Sequence, residues 1–109
     1  MLNKKNKLPI KGRLNTLTTI VSPLFIVKIA KNQEEKNRFA IIVSKEVDKR
    51  AVYRNKLKRS ISEGIKGVME ELKQGHDFLI ISKKAALAKN AYDIEQELRK
   101  LFKKESLLK

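Results

Sequence analysis

The densest group of side chains able to bind or do chemistry is Lys49-Arg50-Ala51-Val52-Tyr53-Arg54-Asn55-Lys56-Leu57-Lys58-Arg59, with six cations in eleven residues. Cations packed this closely do not break covalent bonds unaided. They grip phosphates, and the release of condensed counterions gives an affinity that falls steeply with salt. A solvated helical face is the plainer reading of a charge run, yet acidic partners at i+4 are missing here until Glu63. At about 100° per residue, Arg50, Arg54 and Lys58 align with one another and nearly with the apolar stripe of Leu57, Ile61 and Ile65. Charged side chains cannot lie beneath a sheet. The first turns of this helix are therefore expected to overhang the sheet edge, with Arg50, Arg54 and Lys58 lining a groove. Asn55, Arg59, Ser62 and Lys66 form a second, adjacent row, and the helix N-terminus adds a favourable dipole and free N–H groups for phosphate.

Nothing comparable supports an enzyme acting alone, which needs a nucleophile with a base, a metal cluster or a paired acid and base. His76 is the only histidine and follows Gly75 in an expected turn, which suits a solvated or capping role. Glu34/Glu35 and Glu70/Glu71 are isolated pairs expected to face solvent, a poor basis for a metal site. Gly64 and Gly67 fall inside the helical pattern and make no phosphate loop. Cysteine is absent, which removes disulfides, thiolate metal sites and thiol nucleophiles together.

The whole composition points the same way as the cluster. Lys plus Arg number 26 against 12 Asp plus Glu, a formal charge of +14 on 109 residues. Self-repulsion of that size is most simply relieved by a polyanion. An anionic membrane surface is the rival, but the chain has neither a clear basic amphipathic helix with exposed bulky apolar residues nor a lipidation signal. No apolar run approaches the roughly 18 residues of a membrane span, and Met1 to Gly12 does not read as a secretory signal. A cytoplasmic protein with no membrane partner is expected. With 41% hydrophobic residues the chain suffices for one domain, 1–109, with one modest core. Residues 1–13 are a basic arm, either flexible or tightening on RNA.

The elements that must position the cations follow from periodicity. Thr16–Val21 and Leu24–Ala30, rich in β-branched residues and divided by Pro23, predict two strands. After the polar turn Lys31–Asn37, the run Phe39-Ala40-Ile41-Ile42-Val43 predicts a buried strand. Leu57, Ile61, Ile65, Val68 and Leu72 mark one face of a helix over Ala51–Lys73, with Gly75 as its stop. Phe78–Ile81 predicts a central strand, and Asn90 caps a last helix with Ile94, Leu98, Leu101 and Phe102 inward. The order of strand, strand, strand, helix, strand, helix predicts an α+β two-layer sandwich, about four mixed strands with helices on one face.

The segment Ala51 to Arg59 resembles the Arg-Asn-Arg signature helix of the bacterial ribonuclease P protein subunit. Ser22-Pro23-Leu24-Phe25, Arg38 to Lys45, Asp77 to Ala86, and Tyr92, Leu98, Leu101 and Phe102 follow the same family's pattern in order, so the similarity runs from about Leu8 to the C-terminus. The resemblance implies an uncommon left-handed β-α-β crossover. It implies a subunit that assists a catalytic RNA in cutting the 5′ leader from precursor tRNA, inactive alone, with Mg2+ held by the RNA and no cofactor or obligate protein partner of its own. The partners are then the catalytic RNA, facing the signature helix, and precursor tRNA, whose leader lies in a cleft between the sheet and an opening helix. The implied RNA-binding residues are Lys45, Lys49, Arg50, Arg54, Asn55, Lys56, Lys58, Arg59 and Lys66. Ile10, Arg13, Leu14, Phe25, Lys83 and Lys84 are the cleft candidates, with plain core packing the alternative for Phe25.

Departures from the family pattern carry expectations too. Lys56 stands where a second Arg is usual and loses the planar fork that grips phosphate in two places, and Ser62 replaces a common Arg. Ile10 and Leu14 replace a usual aromatic pair. Stacking on aromatics is worth roughly 1–3 kcal/mol per base, so weaker discrimination for leader-bearing tRNA is expected. A ribosomal or other structured-RNA protein shares the charge and size, but does not predict the Ser44-Lys45 and Ser82-Lys83-Lys84-Ala85 motifs that flank the helix.

Overall fold

The computed structural model describes residues 18–32 and 34–109. Ile10, Arg13, Leu14 and the basic arm lie outside the described residues. Four strands, β1 (Thr18–Val21), β2 (Phe25–Lys31), β3 (Arg38–Ile42) and β4 (His76–Ser82), form one sheet in the order β1-β2-β4-β3. β2 pairs antiparallel with both β1 and β4, while β3 runs parallel to β4. A parallel pair needs a crossover, and α1 (Ala51–Val68) supplies it between β3 and β4. The second helix, α2 (Ala91–Lys104), follows β4 after a 3-10 turn at Lys84–Ala88. The result is the expected α+β two-layer sandwich, a mixed four-stranded sheet with both helices on one face.

Strand alternation and burial define that face. Ile20, Val27 and Ile80 lie in one cross-strand row, and Ile29, Phe78 and Phe39 in another; all six are buried. Against them α1 turns Leu57, Ile61, Ile65 and Val68, and α2 turns Ile94, Leu98, Leu101 and Phe102, the stripes that the spacing predicted. Phe78 links the layers: it stacks on Phe39 at 4.9 Å and meets Phe102 edge-on at 5.2 Å. Burying a phenylalanine contributes about 1.5–3 kcal/mol, so this trio is a large share of a marginal stability.

Local chemistry explains the ends of the elements. The Ser22 hydroxyl oxygen accepts the N–H groups of Leu24 and Phe25 at 3.2 and 3.0 Å, closing the tight turn that joins β1 to β2 around Pro23. Asn90 caps α2 as expected, its Oδ1 accepting the Asp93 N–H at 2.8 Å. The first helix is shorter than predicted. It tightens into a 3-10 turn at Met69–Glu71, and Leu72 becomes extended to bridge Leu108. Lys73 N–H donating to Leu107 O (2.8 Å) and Lys109 N–H to Glu71 O (2.7 Å) hold this pairing with the chain end. Gly75 then turns the chain into β4 with φ +89, a conformation that favours glycine.

Gly64 allows the two helices to approach. A Cβ there would meet Ile94 Cγ2 at 3.0 Å and the Glu95 backbone nitrogen at 3.1 Å. At the end of the sheet away from the start of α1, Asp77 is 6% exposed and takes both arms of Arg38, Nε to Oδ1 and Nη2 to Oδ2, each 2.8 Å. Asn32 Nδ2 adds a third bond at 2.8 Å. Burial pushes the Asp77 carboxyl up, but the Arg38 fork, Asn32 and the nearby positive charge outweigh it and hold the group below its ordinary value.

Candidate nucleic-acid interface

Parallel pairing brings the cations together. Because β3 and β4 run the same way, the segments after them leave the sheet at one end. Lys45, Lys49 and Arg50 sit in the loop after β3; Lys83 and Lys84 follow β4; Lys89 precedes α2. The loop after β3 is anchored by Val47, which is buried, with its N–H donating to Ser44 O at 3.1 Å.

Two arginines in the cluster serve the loop itself. Asp48 Oδ1 accepts the Arg50 N–H at 2.9 Å and Nε at 3.1 Å, and Oδ2 accepts Nη2 at 3.0 Å. The hydrogen bonds from the Arg50 side chain and backbone bring the Asp48 carboxyl down to about 2. The same guanidinium lies 4.0 Å above the Tyr53 ring. Arg54 turns back and donates through Nη1 to the carbonyls of Asp48 (2.9 Å) and Lys49 (2.8 Å). It straps the loop to the helix.

The remaining cations face water. Lys49, Lys56, Lys58 and Arg59 are exposed, and none has an acidic partner within ion-pair distance among the described residues. Asn55 is exposed beside them, and Lys66 pairs with Glu63 at 3.7 Å. The first turn of α1 carries no acidic residue, and the one carboxylate beside its N-terminus, Asp48, is taken up by Arg50.

The grooved arrangement expected from the sequence is corrected in three places. The groove beside α1 has a volume of about 460 Å³ and lies between Tyr53, Lys56, Leu57 and Ser60 on one wall and Leu87–Ala91 on the other. Arg50, Arg54 and Lys58 do not line it: Arg50 and Arg54 fold back onto Asp48 and the loop carbonyls, and Lys58 lies about half a turn of helix away from the flank that faces α2. Ser62 is 3% exposed and drops out of the outer row. Phe25, a cleft candidate, is 0% exposed on the helix side of the sheet, where strand parity puts it with Val27 and Ile29. It is a core residue. The opposite sheet face carries Val21, Ile26, Ile81 and Ile42 in one row and Thr19, Lys28, Leu79 and Ala40 in the next.

Lys83 is half-buried, its N–H donating to Leu24 O at 2.8 Å, and Lys84 is exposed. His76 is half-buried and only partly solvated, with its Nδ1 enclosed and without a hydrogen-bond partner. Sequence reasoning passed over Lys89 and the groove face of Tyr53. Their partnership requires α1 and α2 to start side by side, and no local pattern reports that.

Among the described residues no three or more His, Cys, Asp or Glu side chains gather as a metal site, and no helix is long and apolar enough to cross a membrane. The ribonuclease P family model matches residues 13–106. The chain is 39% identical over 87 residues to the ribonuclease P protein component of Clostridium acetobutylicum, covering 78% of this chain and 72% of that one. It is 36% identical over 88 residues to the corresponding Desulfosudis oleivorans protein, covering 81% and 72%. The Staphylococcus aureus RNase P protein structure superposes with a TM-score of 0.72 at 26% identity, over 84% of each chain. The Thermotoga maritima RNase P protein shares the fold at a TM-score of 0.72 and 24% identity, covering 80% of this chain and 82% of that one.

Proposed function

Because the chain belongs to the ribonuclease P protein family, we propose that it uses the cationic end of its sheet to hold the phosphates of the catalytic RNA. It is the protein subunit of a holoenzyme that removes the 5′ leader from precursor tRNA, and the catalytic activity resides in the RNA. The observation that carries the phosphate-binding role is the set of exposed cations Lys49, Lys56, Lys58 and Arg59, left without acidic partners among the described residues, in and before a helix whose first turn carries no acid. An unpaired cation cluster on a chain of charge +14 is unfavourable until an anion covers it.

Lys45, Asn55 and Lys66 extend the same face, and Lys83 and Lys84 stand where the sheet end meets it. In this reading precursor tRNA is the second partner, and its leader approaches the sheet face that bears Ile26, Leu79 and Ile81. In the same reading the divalent ions of the reaction, Mg2+, are held by the RNA, and the site of action is the cytoplasm. Adding the protein to a bacterial ribonuclease P RNA at low magnesium should restore precursor-tRNA cleavage, and the protein without RNA should cut nothing. Absence of stimulation under those conditions would count decisively against this role.

A further inference from the structure

We propose that the groove between α1 and the start of α2 is a subsite for one unpaired nucleotide of an RNA partner, with the base against Tyr53 and the flanking phosphates at Lys56 and Lys89. This inference rests on the RNA-binding reading above and adds a specific ligand to it. The groove's volume of about 460 Å³ falls within the range of sites that hold small ligands. Its lining has two parts. Leu57, Leu87, Ala88 and Ala91 make an apolar floor, while Lys56 and Lys89 are the only charged residues in it, and no carboxylate is present. An occupant therefore needs a flat apolar body and a negative charge, and a nucleotide has both. An acidic peptide would satisfy the lysines but leave the ring and floor uncovered.

Tyr53 is prepared for stacking. It is 43% exposed, it borders the groove, and Arg50 lies 4.0 Å over the ring. Arg50 is itself paired with Asp48 at 3.1 and 3.0 Å, so one face of the ring rests against a guanidinium that has a partner of its own. A base added on the groove side completes an arginine–tyrosine–base stack. Asn90 Oδ1 is committed to the Asp93 N–H, which leaves the Asn90 amide NH2 at the groove wall as a donor toward a base.

The chain has two tyrosines and no tryptophan, which provides a direct assay. Tyr92 is 68% exposed and does not line the groove, so Tyr92→Phe leaves Tyr53 as the sole tyrosine emitter. Titration of this variant with an adenosine trinucleotide should quench its emission saturably, and Lys56→Ala or Lys89→Ala should weaken that binding several-fold. With the catalytic RNA, Tyr53→Ala should lose on the order of five- to a hundredfold in affinity, the value of one stacked base, and Tyr53→Phe should retain it. No quenching, or equal quenching by a poly-glutamate peptide, overturns the subsite. Arg59→Ala separates the two levels of the argument. If it flattens the salt dependence of RNA binding while Tyr53→Ala and Lys89→Ala change nothing, the groove assignment fails and the phosphate face stands. If none of the three responds, the phosphate face fails as well.

Discussion

Arg54→Ala and Arg59→Ala remove the same guanidinium from positions five residues apart, yet the structure gives the two side chains different work. Arg54 spends Nη1 on the carbonyls of Asp48 and Lys49 at 2.9 and 2.8 Å. A hydrogen bond from a charged donor contributes about 1.5–3 kcal/mol, and the partial exposure of this pair places the sum at the low end, about 2 kcal/mol. For a domain of this size that lowers the melting temperature by roughly 10 °C. Arg59 is exposed and has no ion pair among the described residues, so its loss should leave the melting temperature within about 2 °C, as surface substitutions usually do. Its effect belongs to the RNA complex, where each lost phosphate contact flattens the slope of log affinity against log salt by roughly one unit. Thermal melts followed by circular dichroism and filter binding across a salt series measure both quantities on the same preparations. If Arg54→Ala melts like the parent chain and flattens the salt slope as much as Arg59→Ala does, the strap is not what holds the loop, and Arg54 is a phosphate contact like its neighbour.

Three further outcomes are expected. Asp48 has its pKa brought from 3.8 to about 2, so what it contributes to the loop is fully present above its unfolded value and is lost only as pH falls through about 2; the Arg50 Nε–H resonance should stay unchanged from pH 7 to 4, and a shift centred near 4 would contradict the pairing. Arg38→Ala strips Asp77 of its bidentate partner and leaves a buried carboxylate on Asn32, at a cost of about 2–4 kcal/mol in urea unfolding, because one partner of a buried pair is removed; a change below 1 kcal/mol would show that water reaches Asp77 freely. Gly64→Ala should destabilise by about 1–2 kcal/mol despite the better helix propensity of alanine, since its Cβ meets Ile94 and the rigid Glu95 backbone, whereas Gly67→Ala meets only the Glu95 side chain, which can swing aside. Equal melting temperatures for those two variants would disprove the close helix approach.

Much of this protein is legible in one dimension because its signals are local. The spacing of Leu57, Ile61, Ile65 and Val68, the β-branched runs, Asn90 as a cap and the excess of lysine and arginine each depend on neighbours a few residues away. They determine two helices, four strands, one core and a polyanionic partner. The Arg-Asn-Lys segment carried the family resemblance for the same reason. What the tertiary structure alone decided is where each charge and ring points. Strand parity, set by pairing β2 with β4, put Phe25 into the core instead of the open face. The end of α1 at Val68 depends on Leu72 pairing with the last residues of the chain. The division of the cations into loop straps, an outer row and a groove shared with Lys89 depends on how α1 lies beside α2 and over the loop after β3. Side-chain direction at those positions is a property of contacts between distant segments, and periodicity within a segment has no access to it.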